Sequence, residues 1–336
     1  MKKLLVACLA VAVCLMLAAP AMAEFKVGFL AYTDLGWSTK DKMLTVNQKE
    51  NVTSNFLNMP GHSRVYGTFK KENVTGYFEI GLGNDELRPR DVNLRKLYGV
   101  YHFGNHQIQA GQTEPIAARF NPPQLMGLGV NNHIIMIGWG NPNYERLPVA
   151  NYSYSSGPFT FMGGFFAPPG GKVGGSFTAP ATGTDMYWNV PGVEMKFAYR
   201  SEMFYIAPAV AWGQVKWEGT PDAVDNSANC FLVNMPVQIN FGLVTFKMNP
   251  YIGRNIEGFT HYVSTAGGFD SGYGRPLLVS GKMYDTNEWG GWANLFTKVG
   301  IVGVNLMYGR QQYNNDDWKT KAGYSQDSYN RNAYVL

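Results

Sequence analysis

Eight ionisable side chains share a placement that says more about this chain than any catalytic motif. Arg64, Lys70, Glu79, Arg95, Glu194, Lys196, Arg200 and Lys247 all fall on the polar side of segments that alternate apolar and polar residues. Six are basic and two acidic. Gln107 and Gln109 extend the same polar set. Side chains gathered on one wet surface can hold water and select ions by sign. A catalytic reading needs a nucleophile beside a base. The five histidines are His62, His102, His106, His133 and His261, and none sits in an H-E-x-x-H arrangement. His102 and His106 flank a tight turn and could meet, although two imidazoles on a turn are ordinarily solvated. Gly163 to Gly175 is glycine-rich but lacks the Lys-Ser/Thr of a phosphate loop. Asp222 and Asp225 could hold a cation, as could any acidic loop. No cofactor, metal site or enzyme activity is expected.

The elements that position these charges are strands. Phe231, Val233, Met235, Val237, Ile239 and Phe241 alternate with polar, small or proline residues, Leu232 being the one exception. Successive side chains of a strand point to opposite faces, so such a segment has one oily and one wet face. The same test finds fourteen strands: 25–35, 63–70, 74–82, 93–103, 106–113, 150–155, 159–167, 193–200, 203–212, 231–241, 244–254, 289–297, 301–308 and 328–336. Short turns alternate with long, polar, glycine-rich connections. His133 to Gly140 is apolar enough to be a further strand, and a second one with it would make sixteen. The pattern predicts an all-β fold, a transmembrane antiparallel β-barrel with short periplasmic turns and long outer loops.

Composition agrees. Charged residues make up 15% and aromatic residues 14%, with 39 glycines, against about 25% charged in an ordinary soluble domain. Residues 1–23 read as an export signal: Lys2 and Lys3, an apolar run from Leu4 to Leu17, and a cleavage site at Ala21-Met22-Ala23. The run is shorter than the roughly 20 residues of a spanning helix. Without it the net charge falls from +4 to +2, too little to suggest nucleic acid. Cys230 would then stand alone, which excludes an internal disulfide and a C-x-x-C-H haem site. Residues 24–336 form one domain, with no repeat or heptad.

Energetics favour a wet interior. Val193, Met195, Phe197 and Tyr199 share one face; Glu194, Lys196 and Arg200 share the other. A Lys or Arg facing mid-bilayer costs about 2–4 kcal/mol, and the same charges unpaired in a dry core cost more. A soluble β-sandwich leaves the bulky apolar faces without a second layer to cover them. Lys96 shares a face with Leu94, Tyr98 and Val100 and would have to snorkel, while Tyr101 falls with Arg95 on the wet face. Pro208, Pro236 and Pro250 lie inside strands, where each removes a ladder donor, so bulges are expected there.

Leu94-Arg95-Lys96-Leu97-Tyr98-Gly99-Val100-Tyr101 followed by Gln109-Ala110-Gly111-Gln112 resembles an early hairpin of Gram-negative general diffusion porins. Tyr152-Ser153-Tyr154-Ser155-Ser156-Gly157-Pro158-Phe159 resembles another. The resemblance implies a homotrimer in the outer membrane, with lipid around it and small hydrophilic solutes passing through. It implies that 114–147 folds into the lumen as a constriction loop, with Glu114 and Arg119 near its start and Arg64, Lys70 and Arg95 on the opposing wall. The chain departs from the pattern in two places: the loop lacks an acidic, glycine-rich tip, and the last residue is Leu336 where such barrels end in an aromatic. The second departure suggests a C-terminus that is incomplete. From strand number a 14- to 16-strand barrel leaves a channel, whereas a small one is packed shut. The expected function is passive diffusion with a weak preference for anions. A plugged structural or adhesive barrel and a barrel enzyme are the alternatives.

Overall fold

The structure, a computed structural model, describes residues 24–30, 34–45, 48–58, 63–81, 93–118, 120, 126–129, 133–135, 146–167, 185–188, 190–218, 227–256, 277–279, 282–300, 302–316 and 328–335. The export signal and Arg119 lie outside these residues.

Strand formation follows the alternation. The N-terminal part of the wall comprises β1 (Glu24–Leu30), β4 (Arg64–Lys71), β5 (Val74–Gly81), β6 (Asn93–Phe103) and β7 (His106–Thr113). Then come β10 (Leu147–Ser156), β11 (Phe159–Phe166), β12 (Asp185–Trp188), β13 (Gly192–Arg200), β14 (Phe204–Ile206) and β15 (Ala209–Glu218). The wall ends with β16 (Ser227–Asn234), β17 (Val237–Phe241), β18 (Val244–Arg254), β21 (Asn287–Val299), β22 (Val302–Asn314) and β23 (Ser328–Val335). Three two-stranded hairpins lie outside the wall: β2 (Asp34–Thr45) with β3 (Gln48–Asn58), β8 (Met126–Gly129) with β9 (His133–Ile135), and β19 (Leu277–Val279) with β20 (Lys282–Tyr284). A short 3-10 turn, η1 (Ile116–Ala118), follows β7.

The wall is one antiparallel sheet of seventeen segments, and three pairs of these are single strands interrupted. β12 and β13 both pair with β15. β14 and β15 hold one register against β13 across Pro208, and β16 and β17 hold one register against β18 across Pro236. Joined so, the described residues of the wall form fourteen strands at the positions expected from sequence, except that β12 lies ahead of the strand expected at 193–200. His133 to Ile135 belongs to the β8–β9 hairpin and not to the wall, so these residues add no strand to it; the remainder of the segment to Gly140 lies outside the described residues. The hairpin β2–β3 occupies a stretch read as a polar loop.

The expected bulges at the prolines are absent. Phe197 N donates to Pro208 O (3.0 Å), Ala207 N to Pro236 O (2.9 Å) and Met235 N to Pro250 O (3.0 Å). Each proline therefore keeps its carbonyl in the ladder and forfeits only the bond that its missing N–H would make. The three lie on consecutive strands, so one weakened row crosses the sheet without shifting register.

The bulge lies elsewhere. Glu79 pairs with Lys96 but Ile80 pairs with Leu94, so Arg95 is the extra residue of a β-bulge in β6. A bulge lets two successive side chains point to one face and reverses the alternation beyond it. Leu94, Leu97, Tyr101 and Phe103 are exposed on the outside, while Arg95 and Lys96 both turn inward. This corrects two expectations: Lys96 does not meet lipid, and Tyr101 does not face the interior.

Elsewhere the oily face points outward as expected. Phe25, Val27 and Phe29, then Val193, Met195 and Phe197, then Leu295, Val304 and Leu306 are exposed. Glu79, Asn151, Glu194, Lys196, Asn234, Asn249 and Glu288 are buried on the inner face. This is the reverse of a soluble barrel, and only a wall standing in lipid stabilises it. Near the short turns the outer face carries aromatic pairs, among them Phe103 with His106 (5.1 Å) and Phe159 with Tyr199 (5.2 Å), as interfacial girdles do. The turns themselves are tight: Gly104 and Gly242 have φ of 58° and 64°, left-handed values that glycine adopts without steric cost.

Candidate functional site

The inner wall divides into two parts. The first spans β4, β5 and β6 and is built around Glu79. Arg95 Nε donates to Glu79 Oε1 at 2.6 Å, and Arg64 Nη1 reaches the same oxygen at 3.4 Å. Tyr77 Oη donates to Oε2 at 3.0 Å. Two guanidinium groups around one carboxylate leave a net positive charge. The rings of Tyr66, Tyr77 and Tyr98 stand side by side across the same strands, with centroids 6.3 and 5.3 Å apart. Being stacked on one another, they stiffen the wall that carries the ions. Lys70, Gln107, Gln109 and Lys247 also lie on the inner face, as the registers through Thr68, Asn151 and Asn249 require.

The second part is a covered wall. Leu147, Val149, Phe166, Ala209, Ala211, Ala228, Cys230 and Leu232 point inward and pack into one buried cluster with Ala117 and Ile256. The segment after β7 lies on it, with Ile116 fully buried. Three hydrogen bonds pin η1 there: Ala117 N donates to Glu194 Oε2 (3.0 Å), Lys196 Nζ to Ile116 O (3.3 Å) and Asn234 Nδ2 to Ala117 O (2.8 Å). Glu194 and Lys196 are thus 2% and 5% exposed. They face inward as expected, but beneath the infolded segment.

Glu114 joins the two parts. Its carboxylate meets Lys96 Nζ of the charged wall at 2.6 Å and Arg146 Nε at 3.6 Å. Burial pushes the Glu114 carboxyl up, yet Lys96 and then Arg146 outweigh burial and hold it below the ordinary carboxylate range. Beyond η1, Phe120 stacks on Tyr205 (5.7 Å) and on Trp292 of β21 (5.5 Å). Arg200 lies over the Tyr205 ring at 4.5 Å. A segment that starts at Glu114, held by Lys96 of β6, and reaches both β14 and β21 through Phe120 crosses the space the sheet encloses, and the sheet must curl for those strands to approach it.

The residues named from sequence therefore fall into two groups. Arg64, Glu79 and Arg95 form one cluster, while Glu194 and Lys196 form another under η1. Sequence reading missed Lys96, Arg146, Asn234 and Phe120. The exception noted at Leu232 was the available signal of the covered wall, reinforced by Ala228 and Cys230 at the same period. The two turn histidines do not meet: His102 Nε2 is 3.2 Å from Thr75 Oγ1 on the inner face, and His106 Nδ1 is 2.6 Å from Tyr152 Oη on the outer face. Among the described residues no three metal-ligating side chains come together.

No protein-family model matches this chain, and no curated protein matches it in sequence. Solved structures do. The outer membrane channel DcaP of Acinetobacter baumannii superposes with a TM-score of 0.67 at 12% identity, over 94% of this chain and 86% of that one. OmpF of Salmonella typhi gives 0.49 at 12% identity over 93% and 85%. An anion-selective porin from Comamonas acidovorans gives 0.45 at 9% over 93% and 98%. The first of these carries the comparison, and it concerns architecture. With the inverted faces and the infolded segment, it establishes that this polypeptide has the fold of an outer-membrane channel barrel.

Proposed function

We propose that the chain is a porin of the Gram-negative outer membrane, a water-filled channel through which small hydrophilic solutes and ions diffuse passively. The observation that carries this reading is the inner wall at β4–β6, where Arg64, Glu79 and Arg95 are held in place by one another, with Glu79 buried and the Arg64 side chain still 23% exposed. Fixed charge on the wall of a wide barrel selects ions by sign. Counting Lys70, Lys96, Arg146, Arg200 and Lys247 against Glu114 and Glu288, with Lys26 offset by Glu24, cations exceed carboxylates on the inner face outside the η1 contact, which supports a weak anion preference. The infolded segment supplies the narrowing. Assembly as a homotrimer rests on the resemblance of the two hairpins and on the broad apolar outer face.

Single-channel recording in a planar lipid bilayer tests the reading. Refolded protein is expected to give discrete conductance steps, in threes for a trimer, and a reversal potential of anion-selective sign under a salt gradient. K247E moves the reversal potential toward cations. Clear cation selectivity of the native protein contradicts the anion preference. The absence of steps from a correctly folded barrel contradicts the channel and favours a plugged one.

A further inference from the structure

The tyrosine row of the charged wall does more than stiffen it. Other large rings on the inner face are covered: Tyr251, Trp292 and Tyr313 are 5%, 2% and 1% exposed. Tyr66, Tyr77 and Tyr98 are partly exposed. Their planes lie within 21° and 27° of one another. At their spacings parallel rings are offset, so each leaves part of its face uncovered by the next. Tyr66 lies down on the wall. A Cβ added at Gly28, its register partner on β1, would stand 2.3 Å from its Cζ and 2.4 Å from its Oη. A glycine in a strand is what allows so close an approach. Cations border the row. Arg64 precedes Tyr66 by two residues on β4, and Lys96 precedes Tyr98 by two on β6, so each pair shares a face. The Arg64 and Lys96 side chains stay 23% and 20% exposed, whereas Glu79, which lies between Tyr66 and Lys96 in the register, is 2% exposed.

A solute passing this wall therefore meets aromatic faces, phenol hydroxyls and positive charge, with the carboxylate hidden beneath them. Rings that supply area and a few polar groups that fix orientation are the makings of a small-molecule site. A sugar ring has a face of C–H groups and a rim of hydroxyls. Its C–H face packs on a tyrosine, its hydroxyls meet the phenol oxygens, and a carboxylate attached to it pairs with a guanidinium. A flat aromatic anion would use the rings and the charge but none of the phenol hydroxyls. We propose that the inner wall at β4–β6 is a binding subsite for acidic sugars in their ring form. Tyr66 and Tyr98 are its platforms, and Arg64 takes the carboxylate. The proposal rests on the reading above that solutes pass along this wall.

Isothermal titration calorimetry of the detergent-solubilised full chain with glucuronate tests this. The native protein should bind it. Gluconate, with the same charge and hydroxyls on an open chain, and glucose, with the ring but no charge, should each bind about fivefold or more weakly. Y66A and Y98A should each weaken glucuronate binding by about two- to tenfold, and Y66F, which keeps the ring, should retain most of it. R64Q should weaken it by about tenfold or more. Y308A, on the outer face, should leave the affinity unchanged. Circular dichroism verifies that each variant keeps its sheet. Gluconate binding as tightly as glucuronate would show a site for charge alone, and benzoate binding as tightly would show a site for flat aromatic anions. Either result overturns the proposal, as does the absence of glucuronate binding to the folded native protein. Calorimetry reads binding without current, so a barrel that conducts but binds no glucuronate overturns this inference and leaves the channel standing.

Discussion

The charged wall at β4–β6 and the covered wall from β10 to β16 obey one alternation and use it differently. On the first, inward side chains are large and ionic, and they are satisfied by one another through Glu79, Arg64, Arg95 and Tyr77. On the second, inward side chains are mostly small or apolar, and Glu194, Lys196 and Asn234 each make a hydrogen bond to a backbone atom of η1. A lumen wall thus needs polar residues only where water reaches it. Where the chain folds back inside, the inner face becomes a core, and an ionic group there serves as a clamp.

Several measurements would break or sharpen this contrast. The largest effect is expected at the bulge. If Arg95 is the extra residue, Leu97 faces lipid and Tyr98 faces the interior, so L97K should destabilise the barrel by about 2–4 kcal/mol in lipid, less if the site lies near an interface, and Y98K far less. Urea unfolding in vesicles reads the difference, and equal costs would refute the bulge. Next comes the clamp. E194A removes the acceptor of the Ala117 N–H, a charge-assisted hydrogen bond contributing about 1.5–3 kcal/mol. It should also make the channel noisier and wider as η1 loosens, whereas R64Q should alter selectivity without that noise.

Packing gives a smaller and more local contrast. A Cβ added at Gly192 would stand 2.3 Å from the Phe166 ring, while one at Gly99 would meet nothing within 4 Å. G192A should therefore cost about 1–3 kcal/mol by overpacking and G99A less than about 0.5 kcal/mol. The smallest effect concerns pH. The Glu114 carboxyl is held low by Lys96 and Arg146, so its stabilising contribution is fully present at neutral pH and is lost progressively as pH falls from the ordinary carboxylate range through its own depressed value. Anion preference should then rise at strongly acidic pH as Lys96 and Arg146 lose their counterion, and E114Q should show that rise already at neutral pH.

Much of the architecture could be read from sequence because a strand's period is two and because a barrel in lipid puts its apolar side chains where they are easily recognised. The fourteen wall strands follow from that rule alone. What escaped it were departures that cost one residue or none. The bulge at Arg95 shows in the sequence only as a misplaced Lys96, which snorkelling explained equally well. The three prolines looked like breaks, yet a residue that lacks only its N–H can stay in register when its carbonyl is still used. At the site, residue types indicated which charges face inward, but not that η1 would cover Glu194 and Lys196, since that depends on contacts between Ala117 and Asn234, far apart in the chain. Leu232, Cys230 and Ala228 carried the hint.

The most direct measurement labels the two walls with a water-soluble charged thiol reagent while current is recorded. Native Cys230 is fully buried, so the unmodified protein should give no response. T68C, on the inner face of the charged wall, should lose conductance in discrete steps when the reagent is added, and A211C, under the infolded segment, should not. Block at A211C with none at T68C, or no effect at either in a conducting barrel, would contradict a water path that runs along the charged wall.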